Sequence, residues 1–217
     1  SNWSNKANGV LYLGWMSNWA YANKVPTTKW RSAMTLPREL ELIQNQDGFR
    51  LHSKAPSDWD KYTVKTLEKE TFSQQKETRL IEKGAIDLST AQIKLNLVDL
   101  EEKKYTFILE NSRGEKLSFG LNEKAHQFFI DRSQAGETSF SETFSRKPSI
   151  APRTKKATSL QIQFILDKMS LEVFFDQGET VMTEIFFTHA PFETLSLKTD
   201  ANTVKIENLL IRELGKK

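Results

Sequence analysis

The chain of 217 residues contains no cysteine, and several other features are equally absent. Without cysteine it has neither a disulfide nor a thiolate metal site. No apolar run approaches the roughly 18 residues of a membrane-spanning helix, so no membrane span is predicted. The sequence has neither a Gly-x-Ser-x-Gly elbow nor a glycine-rich phosphate loop. Serine-nucleophile and nucleotide chemistry are therefore unsupported.

Histidine is also scarce. His52, His126 and His189 are far apart and lack the spacing of metal ligands on one helix or loop. We therefore expect three structural or surface histidines, no metal site and no cofactor.

The formal net charge is only +3. Local basic groups occur at Arg146-Lys147, at Arg153 with Lys155-Lys156, and at Lys216-Lys217. None is interleaved with the stacking aromatic residues that single-stranded nucleic acids require. We predict no nucleic-acid binding and expect these groups to be solvated loop and tail residues.

Aromatic residues are concentrated at the beginning of the chain, where four of the five tryptophans lie within the first thirty residues. Flat apolar faces combined with hydrogen-bonding groups can hold a sugar ring. An ordinary aromatic core is the alternative, and composition alone favours it. The residues concerned are Trp15, Trp19, Tyr21 and Trp30, interleaved with Asn18, Asn23, Lys29 and Arg31.

Beyond about residue 45 the pattern is that of an all-β protein, with short alternating segments between turn signals. It predicts a hairpin over 105–121, strands at 127–131, 162–166, 171–175 and 181–187, and a final strand at 204–214. Little helical periodicity occurs, which favours two packed antiparallel sheets. Alternation with Leu171 and Val173 predicts an outward-facing Glu172. Asp58-Trp59-Asp60 offers groups for a sugar or calcium contact, but a turn anchored by a buried tryptophan is favoured.

The order of residues in the aromatic run carries a family resemblance. GWMSNWAYANKVPTTKWRSAMTLPREL, residues 14–40, resembles the end of the catalytic domain of glycoside hydrolase family 32, the levanases, inulinases and invertases that hydrolyse β-fructosides. In that family this segment belongs to the last blade of a five-bladed β-propeller and leads into a C-terminal β-sandwich. The stretch 36–40 would be that exit.

Two further segments resemble the same family, in the same order. The first is SLEVFF at 170–175, followed by Asp176-Gln177-Gly178 and Thr183; the second, weaker one is Asp131-Arg132-Ser133 with Gly136. The resemblance implies a concanavalin-like jelly-roll sandwich preceded by part of a propeller blade. We expect the end of the catalytic domain at 1–42, a linker at 43–71 and the sandwich at 72–217.

The catalytic carboxylates of the family have no counterpart here. Retaining glycosidases need two carboxyl groups about 5 Å apart, and the family draws them from the first part of the propeller. Its Trp-Met-Asn-Asp-Pro-Asn-Gly, Arg-Asp-Pro and Glu-Cys motifs are all missing, and no Asp precedes a Pro. We expect a chain that is inactive alone, either an excised piece or the product of a truncated gene. The resemblance implies an extracellular or periplasmic parent enzyme.

For the parent enzyme, the resemblance places Trp19, then Trp15 and Asn18, near the pocket for the terminal fructosyl unit. Trp30 and Arg31 are expected to pack or pair within the blade. Fructan or sucrose would be bound with the missing catalytic domain. The alternative is a free-standing fructan-binding module, although the many phenylalanines of the sandwich region suit a core better than a sugar platform.

A lone blade lacks the neighbours that cover its faces in a propeller. Trp15, Trp19, Trp30 and Met34 are then expected to expose an apolar patch. Exposed apolar patches promote association, so we expect self-association through residues 1–42.

Overall fold

The computed structural model describes residues 2–3, 10–45 and 48–215, and they form three antiparallel sheets. The first sheet has four strands in chain order: β1 (Asn2–Trp3), β2 (Val10–Tyr12), β3 (Arg38–Asn45) and β4 (Gly48–Lys54). We call it the N-terminal sheet. Among the described residues, no helix has the length and apolarity needed to cross a membrane.

The other two sheets have six strands each and pack face to face as a sandwich. Their strands are β5 (Thr63–Gln74), β6 (Glu77–Ile81), β7 (Ala91–Val98), β8 (Lys104–Glu110), β9 (Lys116–Asn122), β10 (Gln127–Gln134), β11 (Ser149–Pro152), β12 (Leu160–Asp167), β13 (Ser170–Phe175), β14 (Thr180–Ile185), β15 (Thr194–Thr199) and β16 (Val204–Leu214). One sheet has the order β11-β10-β9-β8-β15-β6. The other, which we call the outer sheet, has the order β14-β13-β12-β7-β16-β5. The predicted all-β sandwich is confirmed.

Alternation of side chains explains the sandwich core. In β8, Tyr105, Phe107 and Leu109 are buried and lie opposite Leu121, Phe119 and Leu117 of β9. The predicted hairpin is therefore confirmed, with its apolar face inward. The two sheets meet through aromatic pairs, such as Phe128 of β10 stacked on Phe175 of β13 with ring centroids 4.0 Å apart.

The segment expected as a linker, 43–71, is not one. It contains the end of β3, all of β4 and most of β5. Strand β5 is the edge of the outer sheet, and none of its described side chains is fully buried. Leu67 and Phe72 of β5 pack against the core, but they are five positions apart, so they give no period-two apolar pattern by which the strand could be predicted.

Only a short connection separates the N-terminal sheet from the sandwich. It contains a 3-10 turn, Asp60–Tyr62, preceded by Trp59, which is buried against Ile165 and Phe174. The indole Nε1–H of Trp59 donates to the Pro56 carbonyl. The prediction of a turn anchored by a buried tryptophan is confirmed.

Candidate functional site

The predicted sugar-binding residues lie in the long loop between β2 and β3. Asn18 organises this part of the loop: its carbonyl accepts from the N–H groups of Tyr21 and Ala22, and its Oδ1 accepts from Ala20 N at 2.9 Å. The short 3-10 turn Ala22–Lys24 follows. An asparagine that bonds to the backbone just ahead of it stabilises such turns. Asn18 therefore holds the turn formed by residues 18–22 in place.

Trp15 and Trp19 contact each other on this loop. Their ring centroids are 5.0 Å apart at an interplanar angle of 56°. Trp19 is 86% exposed and Trp15 is 36% exposed. A pair of indoles of this kind presents a flat apolar surface with N–H groups at its edge, which suits the apolar face of a sugar.

A polar cavity of about 300 Å³ lies between the loop and the sandwich. Trp15 and Asn18 border it from the loop, and Arg132 and Glu184 border it from the sandwich. Trp19 is not part of this wall. The structure thus brings Trp15 and Asn18 to one cavity and leaves Trp19 projecting beside it.

Arg132 joins the loop to the sandwich. Its guanidinium lies 2.7 Å from Glu184 Oε2, donates to the carbonyls of Phe144 and Ile185 at 2.9 Å, and lies over the rings of Phe144 and Tyr21. Cation–π contacts of this type strengthen when they are shielded from water. The Asp131-Arg132-Ser133 motif drew attention to this position, but the partners of Arg132 lie in distant segments and could not be identified from the motif.

Arg31 pairs within the N-terminal segment as predicted. Its Nη1 donates to the carbonyl of Val25 at 2.8 Å and to that of Asn23 at 3.2 Å. Trp30 is partly exposed, and its carbonyl accepts from the Thr27 hydroxyl. Both residues therefore shape the loop.

Glu172 is on the outward face of its strand, as alternation predicts, but it does not face solvent. It lies on the outer face of β13, but residues 36–38 cover it and only 2% of it is exposed. Arg38 Nη2 lies 2.5 Å from Glu172 Oε2, and the backbone N–H of Leu36 donates to Oε1 at 2.7 Å. Thr183 Oγ1 accepts a further bond from Arg38 at 2.6 Å. The N-terminal sheet is therefore fixed to the sandwich by a buried ion pair.

Arg153 was predicted to be solvated and is instead fully buried, with a side-chain exposure of 0%. It pairs with Glu123 Oε2 at 2.6 Å and with Asp176 Oδ2 at 3.3 Å. Burial raises the pKa of Asp176 above its usual value, although the charges of Arg153 and Lys155 oppose the rise. The other expected basic loop residues lack this enclosure, and Lys216-Lys217 lie outside the described residues.

No cluster of three or more His, Asp or Glu suited to a metal ion occurs in the part of the chain that the structure describes. His52 is buried in β4, whereas His126 and His189 are exposed and face Glu123 and Glu115. Each histidine therefore occupies a different region.

Comparison with known families agrees with this architecture. The model of the glycosyl hydrolases family 32 N-terminal domain matches residues 1–55, and that of the family 32 C-terminal domain matches residues 58–213. The chain belongs to glycoside hydrolase family 32. The boundary between the two family 32 matches falls directly after β4, at the end of the N-terminal sheet.

Curated relatives in family 32 match nearly the whole chain. A levanase of Bacillus subtilis is 30% identical over 209 residues, which are 95% of this chain and 31% of the relative. An extracellular exo-inulinase of Aspergillus awamori is 29% identical over 189 residues, which are 83% of this chain and 34% of the relative. The chain thus spans about a third of the length of these relatives.

Solved family 32 structures have the same fold. An exo-inulinase from Aspergillus awamori superposes with a TM-score of 0.81 at 25% identity, covering 97% of this chain and 41% of that one. A β-fructofuranosidase from Schwanniomyces occidentalis gives a TM-score of 0.82 at 22% identity, covering 100% of this chain and 47% of that one. The N-terminal sheet is therefore part of a propeller blade, and the rest is the family's sandwich.

Proposed function

We propose that the chain serves as the C-terminal part of a β-fructosidase acting on levan, inulin or sucrose, with the sandwich as a structural, non-catalytic domain. The observation that carries this is the match of both family 32 domain models, in order, to a sandwich joined to part of a blade. Levanases and exo-inulinases among the relatives support the substrate class.

The chain contributes no catalytic carboxylates in this proposal. Hydrolysis of a β-fructoside requires a nucleophile and an acid/base on either side of the scissile bond. The motifs that supply them in family 32 are absent from this sequence. The expected role of the chain is therefore support and substrate contact.

Trp19, Trp15 and Asn18 are the proposed contacts to the fructosyl unit. The tilted indole pair offers the apolar face, and the cavity beside it offers the polar groups of Asn18, Arg132 and Glu184. Orientation of a sugar by a few polar groups against an aromatic wall is typical of small-molecule sites.

The indole N–H signals of ¹⁵N-labelled protein test this site during a titration with fructose. We expect the signals of Trp15 and Trp19 to shift with a dissociation constant in the millimolar range, about −4 kcal/mol, as suits a single sugar unit on an open surface. The signal of Trp30, which lines neither this cavity nor the groove of the sandwich, is an internal control and stays in place. Equal shifts of all indoles, or none at saturating fructose, would count against the site.

The apolar side chains of the N-terminal segment support a second proposal, that the chain self-associates through this region. Nine of the twelve exposed large apolar residues among those described lie between residues 10 and 51; besides Trp15, Trp19, Trp30 and Met34 they are Val10, Tyr12, Leu42, Phe49 and Leu51. Apolar surface of this extent favours association.

Sedimentation velocity over a range of concentrations tests the self-association. We expect the average mass to rise with concentration, and Leu42→Lys and Leu51→Lys, which place a charge on the hairpin β3–β4, to shift the protein toward the monomer. Ile150→Lys, on an exposed strand of the sandwich, is the matched control and leaves the association unchanged. A concentration-independent monomer would disprove the proposal.

A fructan-binding module is the second candidate function. The observation in its favour is a groove on the outer sheet of the sandwich, which is lined in part by the amides of Asn96, Gln161 and Gln163.

A further inference from the structure

The outer sheet carries a groove of about 650 Å³ on the face that points away from the core. Five adjacent strands form its floor, and the connection from Lys54 to Ser57 forms one rim. Cavities of roughly 300–1,000 Å³ are the usual size of small-molecule sites. Phe174 and Gln177 of the groove belong to the segment 170–178 that resembles family 32, whereas its other lining residues lie outside the three motifs that carry that resemblance.

One row of side chains crosses the floor from strand to strand. Phe174 lies opposite Gln163, Gln163 opposite Lys94, Lys94 opposite Leu210, and Leu210 opposite Glu68. Directly opposed residues on one face of a sheet are close neighbours. The row therefore combines three hydrogen-bonding side chains, those of Gln163, Lys94 and Glu68, with the apolar Phe174 and Leu210 across the width of the groove.

A second row of side chains lies beside the first, and it consists of amides. Gln161 is opposite Asn96, and Gln177 Nε2 donates to Gln161 Oε1 at 2.6 Å. Each carboxamide both donates and accepts hydrogen bonds. Sugar hydroxyls have the same dual character, so this arrangement is complementary to them.

Gln163 has a donor without a partner. Its Nε2 is buried and makes no hydrogen bond with any described residue, although the residue lines the groove. A buried donor left unpaired is unfavourable. Rotation about the last side-chain torsion, which has a broad energy minimum, would let this amide donate to a ligand in the groove.

A β-bulge shapes the floor. The register of β16 against β7 shifts between Glu207 and Leu210, and Asn208 between them has a φ of +53°. Bulges bend a strand and redirect side chains, and they are frequent near functional sites. Asn208 itself lines the groove.

The positive and negative charges of the groove lining balance, which favours a neutral ligand over a charged one. Lys69 and Lys94 are matched by Glu68 and Glu70, while Lys54 at the rim is paired with Glu41. An anionic ligand would require an excess of positive charge. Burial also lowers the pKa of Lys94, and the nearby Arg212 charge adds to this, which weakens any preference for anions further.

We propose that this groove binds a short neutral oligosaccharide through Gln163, Asn96 and Gln161. The assignment of that sugar as a fructo-oligosaccharide rests on the proposed function; the assignment of a sugar site does not. A bound chain would lie across the strands, with its hydroxyls on the amides of Gln163, Asn96 and Gln161.

Isothermal titration calorimetry of the 217-residue protein with inulin-derived oligosaccharides tests the proposal. We expect saturable binding that Gln163→Leu and Asn96→Leu each weaken at least tenfold. Gln127→Leu, an equally half-buried glutamine on the opposite sheet, is the control and leaves the affinity within a factor of two. Circular dichroism melting curves establish that each variant is folded.

The alternative outcomes separate the two proposals. Absence of heat with any sugar, or equal affinity in wild type, Gln163→Leu and Asn96→Leu, overturns the groove and leaves the β-fructosidase proposal standing. Binding of maltotetraose as tight as that of the inulin oligosaccharides, with the same sensitivity to Gln163→Leu, supports the sugar site and overturns its assignment to fructans.

Discussion

Replacement of Glu172 by alanine is expected to lower the free energy of unfolding by about 3–5 kcal/mol, because a buried charge left without its partner is strongly unfavourable. Arg38 would keep its guanidinium in a site closed to solvent, with Thr183 as its remaining side-chain partner. The backbone N–H of Leu36 would lose its acceptor as well. Urea unfolding followed by far-ultraviolet circular dichroism measures the change.

Two controls make the Glu172 result specific. The exposed pair of Lys61 and Asp58 is a matched surface ion pair, and Asp58→Ala is expected to have no measurable effect. The double variant Arg38→Met, Glu172→Met removes both charges and is expected to recover most of the loss, since apolar replacements of a buried pair are well tolerated. A Glu172→Ala variant as stable as wild type would contradict the buried ion pair.

Gly178→Ala is expected to have the second largest effect, a loss of about 3 kcal/mol or more. Gly178 has a φ of +87°, and a Cβ built there would lie 2.3 Å from the Ser53 carbonyl oxygen of β4. No real Cβ approaches a backbone oxygen so closely, so the N-terminal sheet would have to move away from the sandwich. Thermal unfolding monitored by calorimetry measures the loss.

Gly114→Ala is the control that separates the cost of a left-handed backbone conformation from the cost of a steric clash. Gly114 has a similar φ of +76°, but a Cβ there would meet nothing within 4 Å. Only the left-handed conformation then disfavours alanine, at about 1–2 kcal/mol. Losses of the same size in the two variants would show that β4 does not press against Gly178.

The sandwich was predictable because its strands are half-buried. The 105–121 hairpin shows the period of two that one buried face imposes, and the final strand 204–214 shows it on either side of the bulge at Asn208; the structure has both elements. The same reasoning failed for β5, whose polar composition follows from its position at an edge. Alternation predicts a strand where apolar residues recur at every second position, and the two core contacts of β5, Leu67 and Phe72, do not follow that spacing.

The charged contacts of the sandwich could not be predicted from local pattern. Alternation correctly put Glu172 on the outer face of β13, but it does not tell whether another part of the chain covers that face. Arg153 resembled a loop cation because its partners, Glu123 and Asp176, are 30 and 23 positions away. Such pairs depend on tertiary contacts between distant segments.

The candidate site was predicted in part. The order of residues in the aromatic run singled out Trp15, Asn18 and Trp19, and the structure brings the two indoles together and places Asn18 at the cavity. The groove on the outer sheet was missed. Its amides come from four separate segments and become neighbours only through strand pairing.

The central proposal is that this family 32 chain has a structural role and contacts substrate but does not catalyse hydrolysis. An assay for fructose released by the purified chain tests it most directly. Levan, inulin and sucrose are incubated with the protein, and free fructose is quantified against a buffer blank. We predict no release above the blank with any of the three sugars. Sustained release in proportion to protein concentration would contradict the claim and would require carboxylates within this chain to act as nucleophile and acid/base.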